Sequence, residues 1–226
     1  DGGNGGWFMY DSTRSFGTSI GNVLAANTNG VELVNNSNLA LDFTSTGFQL
    51  KASYDEINVN NGKYIYMAFA GGVDSTSTFN TTGSIDSRVK ANPTYGQSIV
   101  SYTGTGANAT VGHGLSSAPD LVIYKNRDDN GSSGATNGNW IVQSTAIGAD
   151  EYLELNDTAA KASDSGYFRG TRPSSTLLTL GTYNSNNGSS DDLIAYCFHS
   201  VSGYSSIGSY EGTGSSGKKI TTGFAP

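Results

Sequence analysis

Leu193-Ile-Ala-Tyr-Cys-Phe198 is an apolar run of strand length, and Tyr64-Ile-Tyr-Met-Ala-Phe69 is a second run of the same length and character. An Asn-rich cluster precedes each: Asn184-Ser-Asn-Asn-Gly188 in one case and Asn60-Asn-Gly62 in the other. Asn-Gly pairs supply the positive φ angles of tight turns, so each run reads as the closing strand of a hairpin. Working outward from the two runs, the same landmarks recur. Trp7-Phe-Met-Tyr10 opens a segment 62 residues before Phe69, and Trp140-Ile-Val-Gln143 opens one 58 residues before Phe198. Inside lie the short strands Gly47-Phe-Gln-Leu50 and Leu178-Thr-Leu180. Ser101-Tyr-Thr-Gly-Thr-Gly106 returns as Ser209-Tyr-Glu-Gly-Thr-Gly214, and Ala118-Pro119 returns as Ala225-Pro226. Two copies of one β module are therefore expected, with Trp7 and Trp140 as equivalent core anchors.

Further short apolar runs at 98–102, 121–124 and 152–155 fill out the pattern, and only residues 157–163 admit a helical turn or two. Of the 226 residues, 106 are Gly, Ser, Thr or Asn, a loop-rich composition, yet the aromatic content of 11% is higher than disordered chains carry. The expected fold class is all-β: an antiparallel β-sandwich, jelly-roll or lectin-like, built of two related modules with one split across the termini. Residues 1–70 read as an incomplete first module and 71–97 as a Ser/Thr/Asn/Gly-rich insertion or linker. Residues 98–200 read as a complete module and 201–226 as the start of a further copy. Residues 207–226 or a neighbouring chain are expected to complete the first copy, and the strand it lacks, the counterpart of Leu121-Val-Ile-Tyr124, is expected from a neighbouring chain or a further segment.

The net charge is -7, and no basic run is longer than Lys218-Lys219, which argues against nucleic acid or an anionic membrane as partner. No stretch approaches a membrane span. The single cysteine, Cys197, allows no intrachain disulfide and does not reveal the compartment. The chain opens on Asp1, which reads as a processed, trimmed or partial chain.

The ordered series Ser101-Tyr-Thr-Gly-Thr-Gly106, Ala109-Thr-Val-Gly-His-Gly-Leu115, Ala118-Pro119, Asn139-Trp140, Tyr152-Leu-Glu-Leu-Asn156 and Ala195-Tyr-Cys-Phe198 resembles the repeated β modules of tail-fibre and other virion-surface proteins of marine bacteriophages, cyanophage-like ones included. The resemblance spans nearly the whole chain. It implies an extracellular structural protein of a virion, with a role in host attachment and with copies of itself or other virion proteins as partners. A secreted carbohydrate-binding lectin-like module and an extracellular filament or surface-layer subunit are the alternatives.

Each candidate site also has a plainer role. His113, between glycines, and His199, after an apolar run, read as backbone-bonded turn and strand-end residues. With no nucleophile elbow, phosphate loop or metal-type histidine spacing, the chain is expected not to be an enzyme. Asn126, Asp128 and Asn130 stand at alternate positions before Gly131, as in a calcium loop, but the closing acidic residue is replaced by Asn137, and a solvated turn is favoured. Asp191-Asp192 likewise reads as a solubilising pair. No cofactor is expected, Ca2+ being the one ion with any sequence signal. Tyr167, Phe168, Arg169 and Arg172, in a turn-rich stretch, are the leading candidates for gripping a host-surface glycan or a partner subunit, with Trp7 and Trp140 as lesser sugar platforms.

Overall fold

The computed structural model describes residues 5–15, 19–70, 77–129 and 138–226. In chain order the elements are β1 (Phe8–Met9), β2 (Leu24–Ala25), a 3-10 turn (Ser37–Leu39), β3 (Leu41–Thr44), β4 (Gly47–Leu50), α1 (Asp55–Asn58), β5 (Thr78–Asn80), β6 (Ser87–Asn92) and β7 (Gln97–Thr103). Then follow β8 (Ala109–Gly112), β9 (Leu121–Asn126), β10 (Ile141–Ser144), β11 (Glu151–Glu154), β12 (Ala162–Ser163), α2 (Ser165–Phe168), β13 (Leu177–Leu180), α3 (Asn184–Asn187) and β14 (Asp192–Phe198). The fold is all-β, antiparallel and sandwich-like. Its main sheet has eight strands in the order β12-β11-β10-β9-β14-β7-β6-β5.

The quoted run 193–198 lies in β14, at the centre of that sheet between β7 and β9. Strand side chains alternate between faces, and here both faces are apolar. Leu193, Ala195 and Cys197 join Val100, Tyr102, Val122, Tyr124 and Ile141 in the principal core, closed from above by the β8–β13 ribbon and by Tyr167 and Phe168 of α2. The opposite phase, Ile194 and Tyr196 with Trp140, packs against Leu24, with Met9 and Ala26 at its margin. The second face is thus covered by the first sequence copy.

Several expectations are corrected. Residues 71–97 contain β5 and β6, two strands of the main sheet, because Val89 and Ile85 alternate inward through the polar composition that suggested a linker. The stretch 157–163 forms no helix and ends in β12. The two copies do not share a strand order: the first folds into the two-stranded pairs β1–β2 and β3–β4. Trp7 is 61% exposed whereas Trp140 is 0% exposed, so the tryptophans are not equivalent anchors. Residues 64–69 pair with no strand among the described residues; Ile65, Tyr66 and Met67 are 83%, 78% and 82% exposed. A strand core needs neighbours on both sides, and the first copy has no counterparts of β7 and β9 beside it.

Candidate assembly site

The side chains favoured for recognition are framework residues. Tyr167 and Phe168 are buried in the principal core, where Phe168 meets Tyr124 at 5.7 Å between ring centroids. One turn of helix, capped by the Asp164 carboxylate accepting from the Gly166 N–H at 2.8 Å, points both rings inward. Arg169 is exposed in the left-handed region at φ 56, as the C-cap of that turn. Arg172 donates to the carbonyls of Ser144 (3.0 Å) and Ile147, strapping its loop to the end of β10. The stretch thus divides between core and surface: the Tyr167 and Phe168 rings are committed to the core, while Arg169 and Arg172 stay exposed.

Of the expected metal trio, Asn126 and Asp128 are engaged by protein. The Asn126 Nδ2 group donates to the Asn184 carbonyl and to Asp191 Oδ2, both at 2.7 Å, while its Oδ1 accepts from the Asp128 and Asp129 N–H groups. Asp128 Oδ2 accepts from the Asp192 N–H at 2.6 Å; Asn130 lies outside the described residues. Beneath this loop the ammonium of Lys125 donates to four carbonyls: Asn126 at 2.6 Å, Gly138 at 2.9 Å, Asp129 at 3.1 Å and Asn29 at 3.2 Å. Carbonyls gathered around one centre resemble a cation site, and the chain supplies the cation itself. Burial lowers the Lys125 pKa to about 8, with the charges of Asp129 and Asp128 acting in the other direction. The signal was present in sequence: Lys125 has the inward phase of Ile123 on β9.

A second charged knot joins the copies. Glu32 bridges Arg14 and Arg127 at 2.5 Å each, Arg14 also meets Asp11 at 2.5 Å, and Tyr196 of β14 donates to Asp11 Oδ2 at 2.9 Å. Burial works against the Arg14 charge, but Tyr196, Asp11 and Glu32 more than offset it, so its pKa is raised. The Trp140 indole N–H reaches the carbonyls of Thr28 (3.1 Å) and Ala25 (3.2 Å), and its ring stacks on Tyr196. His113, buried under the β8–β13 ribbon, accepts the Leu115 N–H at Nδ1 and contacts the Ser174 carbonyl through Nε2, the backbone-bonded role expected of it; burial lowers its pKa. His199 touches the Ser200 carbonyl through Nδ1 at 2.9 Å, at the end of β14.

The repeated Ser-Tyr-x-Gly-Thr-Gly motif has a defined task in the complete module: it seats on the α3 turn. The Tyr102 hydroxyl donates to the Asn186 carbonyl at 2.7 Å. The Thr105 N–H donates to Asn187 Oδ1 and the Gly106 N–H to the Asn187 carbonyl, both at 2.9 Å. Gly104 exchanges backbone bonds with Asp191 and Ser190. A Cβ on Gly104 would stand 2.1 Å from the Gly188 carbonyl oxygen, and Gly106 has φ +67, so both glycines are dictated by this seat. Ser185, Asn186 and Asn187 are fully buried by it.

The first copy contains the same seat, already shaped. Tyr54 and Tyr183 each precede a four-residue helical turn and stand ten residues before Tyr64 and Leu193, respectively. The Asn58 N–H bonds the Tyr54 carbonyl at 2.8 Å, as the Asn187 N–H bonds that of Tyr183 at 2.8 Å. Asn58 Nδ2 bonds the Ala52 carbonyl as Asn187 Nδ2 bonds that of Gly181. Asn61 has φ 63 where Ser190 has φ 65. Yet Asn58 and the adjoining residues 64–69 are exposed. Exposure of a contiguous apolar run of this kind marks an interaction surface. The sequence reading found the run but not the seat, whose signal was the equal spacing from Tyr54 to Tyr64 and from Tyr183 to Leu193.

Residues 209–214, the second Ser-Tyr-x-Gly-Thr-Gly, do not pack on the first copy in this chain. They are exposed, and the side-chain bonds described beyond residue 208 are local, Thr213 to Ser215 and Thr222 to Phe224. The expected completion within the described chain is therefore not made.

No curated protein and no solved structure matches the chain. A family profile matches it over residues 1–73 and over residues 72–226. Between them the two matches run through both seats and the whole main sheet, so the chain belongs to the family described as Domain of unknown function (DUF7483).

Proposed function

We propose that this protein is a non-enzymatic structural component of an extracellular assembly, a tail fibre or related appendage on a virion surface, with a role in attachment to the host surface. The observation that carries this reading is the exposed run at residues 64–69 beside a preformed turn, a surface whose counterpart in the complete module is buried by strand pairing. A chain made of repeated modules with such a surface is suited to building an elongated structure with copies of itself or other virion proteins. The ionisable groups favour a structural role too. His113 has both ring nitrogens on backbone, Cys197 is buried with its thiol pKa pushed up by that burial, and Lys125 is enclosed by carbonyls. For contact with a host glycan the surface offers the exposed ring pair Tyr95 and Tyr204, 4.8 Å apart, and the exposed Arg169.

Immunogold electron microscopy of particles from the native source tests the reading. Label along an appendage is the expected result; label on cells or filaments with none on virions overturns it.

A further inference from the structure

We infer that the turn at Tyr54–Gly62 and the strand-length run 64–69 form a docking seat for residues 205–214 of a second copy of this chain. The inference rests on the assembly reading and names its partner. Both halves of the joint exist in the chain and both are preformed. On the receiving side stand the Asn58 turn and Asn61 at φ 63; on the inserting side Gly214 has φ +66, matching the φ +67 of Gly106. The chain's own 209–214 segment is exposed and not seated, which leaves the seat open to the same segment of another molecule.

The complete module dictates the register. β14 pairs with β7 so that Leu193 faces Tyr102, Tyr196 faces Ile99 and Asp192 faces Thr103. Transferred residue by residue, Tyr64 faces Tyr210, Met67 faces Ile207 and Ile65 faces Ser209. Lys63 then faces Glu211, so the one place where charges meet brings opposite signs together. The backbone bonds transfer as well: the Thr213 N–H to Asn58 Oδ1, the Gly214 N–H to the Asn58 carbonyl, and Gly212 in exchange with Gly62 and Asn61. The inserted strand covers a run that is otherwise in water and adds main-chain bonds along its length. Because each chain carries both halves, reciprocal insertion closes a dimer and one-way insertion continues into a filament.

Gly212 provides the test. Its counterpart Gly104 has no room for a Cβ in the seated state, whereas a Cβ on Gly212 meets nothing within 4 Å in the free segment. Gly212→Val therefore blocks insertion and leaves the folded chain intact, which circular dichroism and thermal melting verify. Sedimentation velocity over a hundredfold concentration range is expected to show concentration-dependent assembly of the wild type and a monomer for Gly212→Val. Lys63→Glu weakens assembly, and Lys63→Glu with Glu211→Lys restores it. Mixing Ile65→Cys chains with Ser209→Cys chains under oxidation yields a disulfide between molecules. A wild type monomeric at every concentration, assembly unaffected by Gly212→Val, or the absence of a disulfide between the mixed Ile65→Cys and Ser209→Cys chains overturns the inference. If microscopy places the protein on an appendage and these measurements fail, the joint is wrong and the functional reading stands; the reverse pattern separates them the other way.

Discussion

Replacing Lys125 by Met removes the donor shared by four carbonyls and fills the space with a side chain of similar length. Two consequences follow. At neutral pH the carbonyls around the ammonium lose its three N–H donors; at about 1 kcal/mol for each donor, the variant is less stable by about 3 kcal/mol. The second consequence concerns pH. Lys125 has a folded pKa of about 8 against an ordinary 10.5. Between those values the unfolded chain holds a proton that the folded chain has released, so stability rises with pH across that window, by about 1.4 kcal/mol per unit. From pH 8 to pH 9.5 the wild type gains about 2 kcal/mol from this group. Burial raises the pKa values of Tyr102, Tyr124 and Tyr196, which reverses the slope above the ordinary tyrosine value of 10.0, so measurements stop short of it. Urea unfolding of both proteins at constant ionic strength, from about pH 7 to about pH 9.5, isolates the lysine because every other group is shared. The gap between wild type and Lys125→Met is expected to widen with pH. Parallel profiles, or a gap that narrows, would refute the enclosed ammonium.

Glu32→Gln removes the carboxylate that Arg14 and Arg127 share, leaving the buried Arg14 guanidinium with Asp11 and the Met9 carbonyl, and is expected to cost about 3 to 5 kcal/mol in chemical denaturation, with m unchanged. Phe168→Ala opens the principal core and costs about 3 to 5 kcal/mol, while Arg169→Ala changes stability by less than about 0.5 kcal/mol; a glycan array that loses binding with Arg169→Ala alone assigns recognition to the surface half of that stretch. His113, with its pKa held below the ordinary 6.5 by burial, contributes stability that is lost as pH falls through 6.5, because the unfolded chain takes up a proton the folded one resists. Acid titration followed by near-ultraviolet circular dichroism is expected to show this loss, flattened in His113→Gln. Chelation by EGTA is expected to leave the melting temperature unchanged, since the Asn126 amide is committed to Asn184 and Asp191; a drop of several degrees would restore the calcium loop.

The complete module was legible because its strands alternate strongly and its turns carry Asn and Gly. Residues 193–198 and 177–180 appear where the pattern put them, and the sandwich follows from their pairing. What the pattern did not convey is the presence of neighbours. Trp7 and Trp140 occupy matching places in the repeat, yet only Trp140 has the first copy's carbonyls to receive its indole. Residues 64–69 are as apolar as 193–198 and are exposed because no strand among the described residues lies beside them. Composition misled at 71–97, where Ser87 and Val89 share the buried phase of a real strand. At 167–172 a single helical turn sent rings inward and guanidinium groups outward, a division of faces that only backbone geometry decides.

The cover that the first copy lays over Trp140 and Tyr196 has a mechanical corollary. A unit whose second hydrophobic layer comes from the preceding stretch of chain cannot swivel freely against it: Glu32 is riveted to Arg127, and the Ala25 and Thr28 carbonyls to one indole. In an array built this way the joints would be as stiff as the units, and heat or tension applied at one end would release successive blocks together rather than one bead at a time. A rod of that kind would transmit torque and pull over its full length by hydrogen bonds and packing alone, because one cysteine allows no disulfide within the chain.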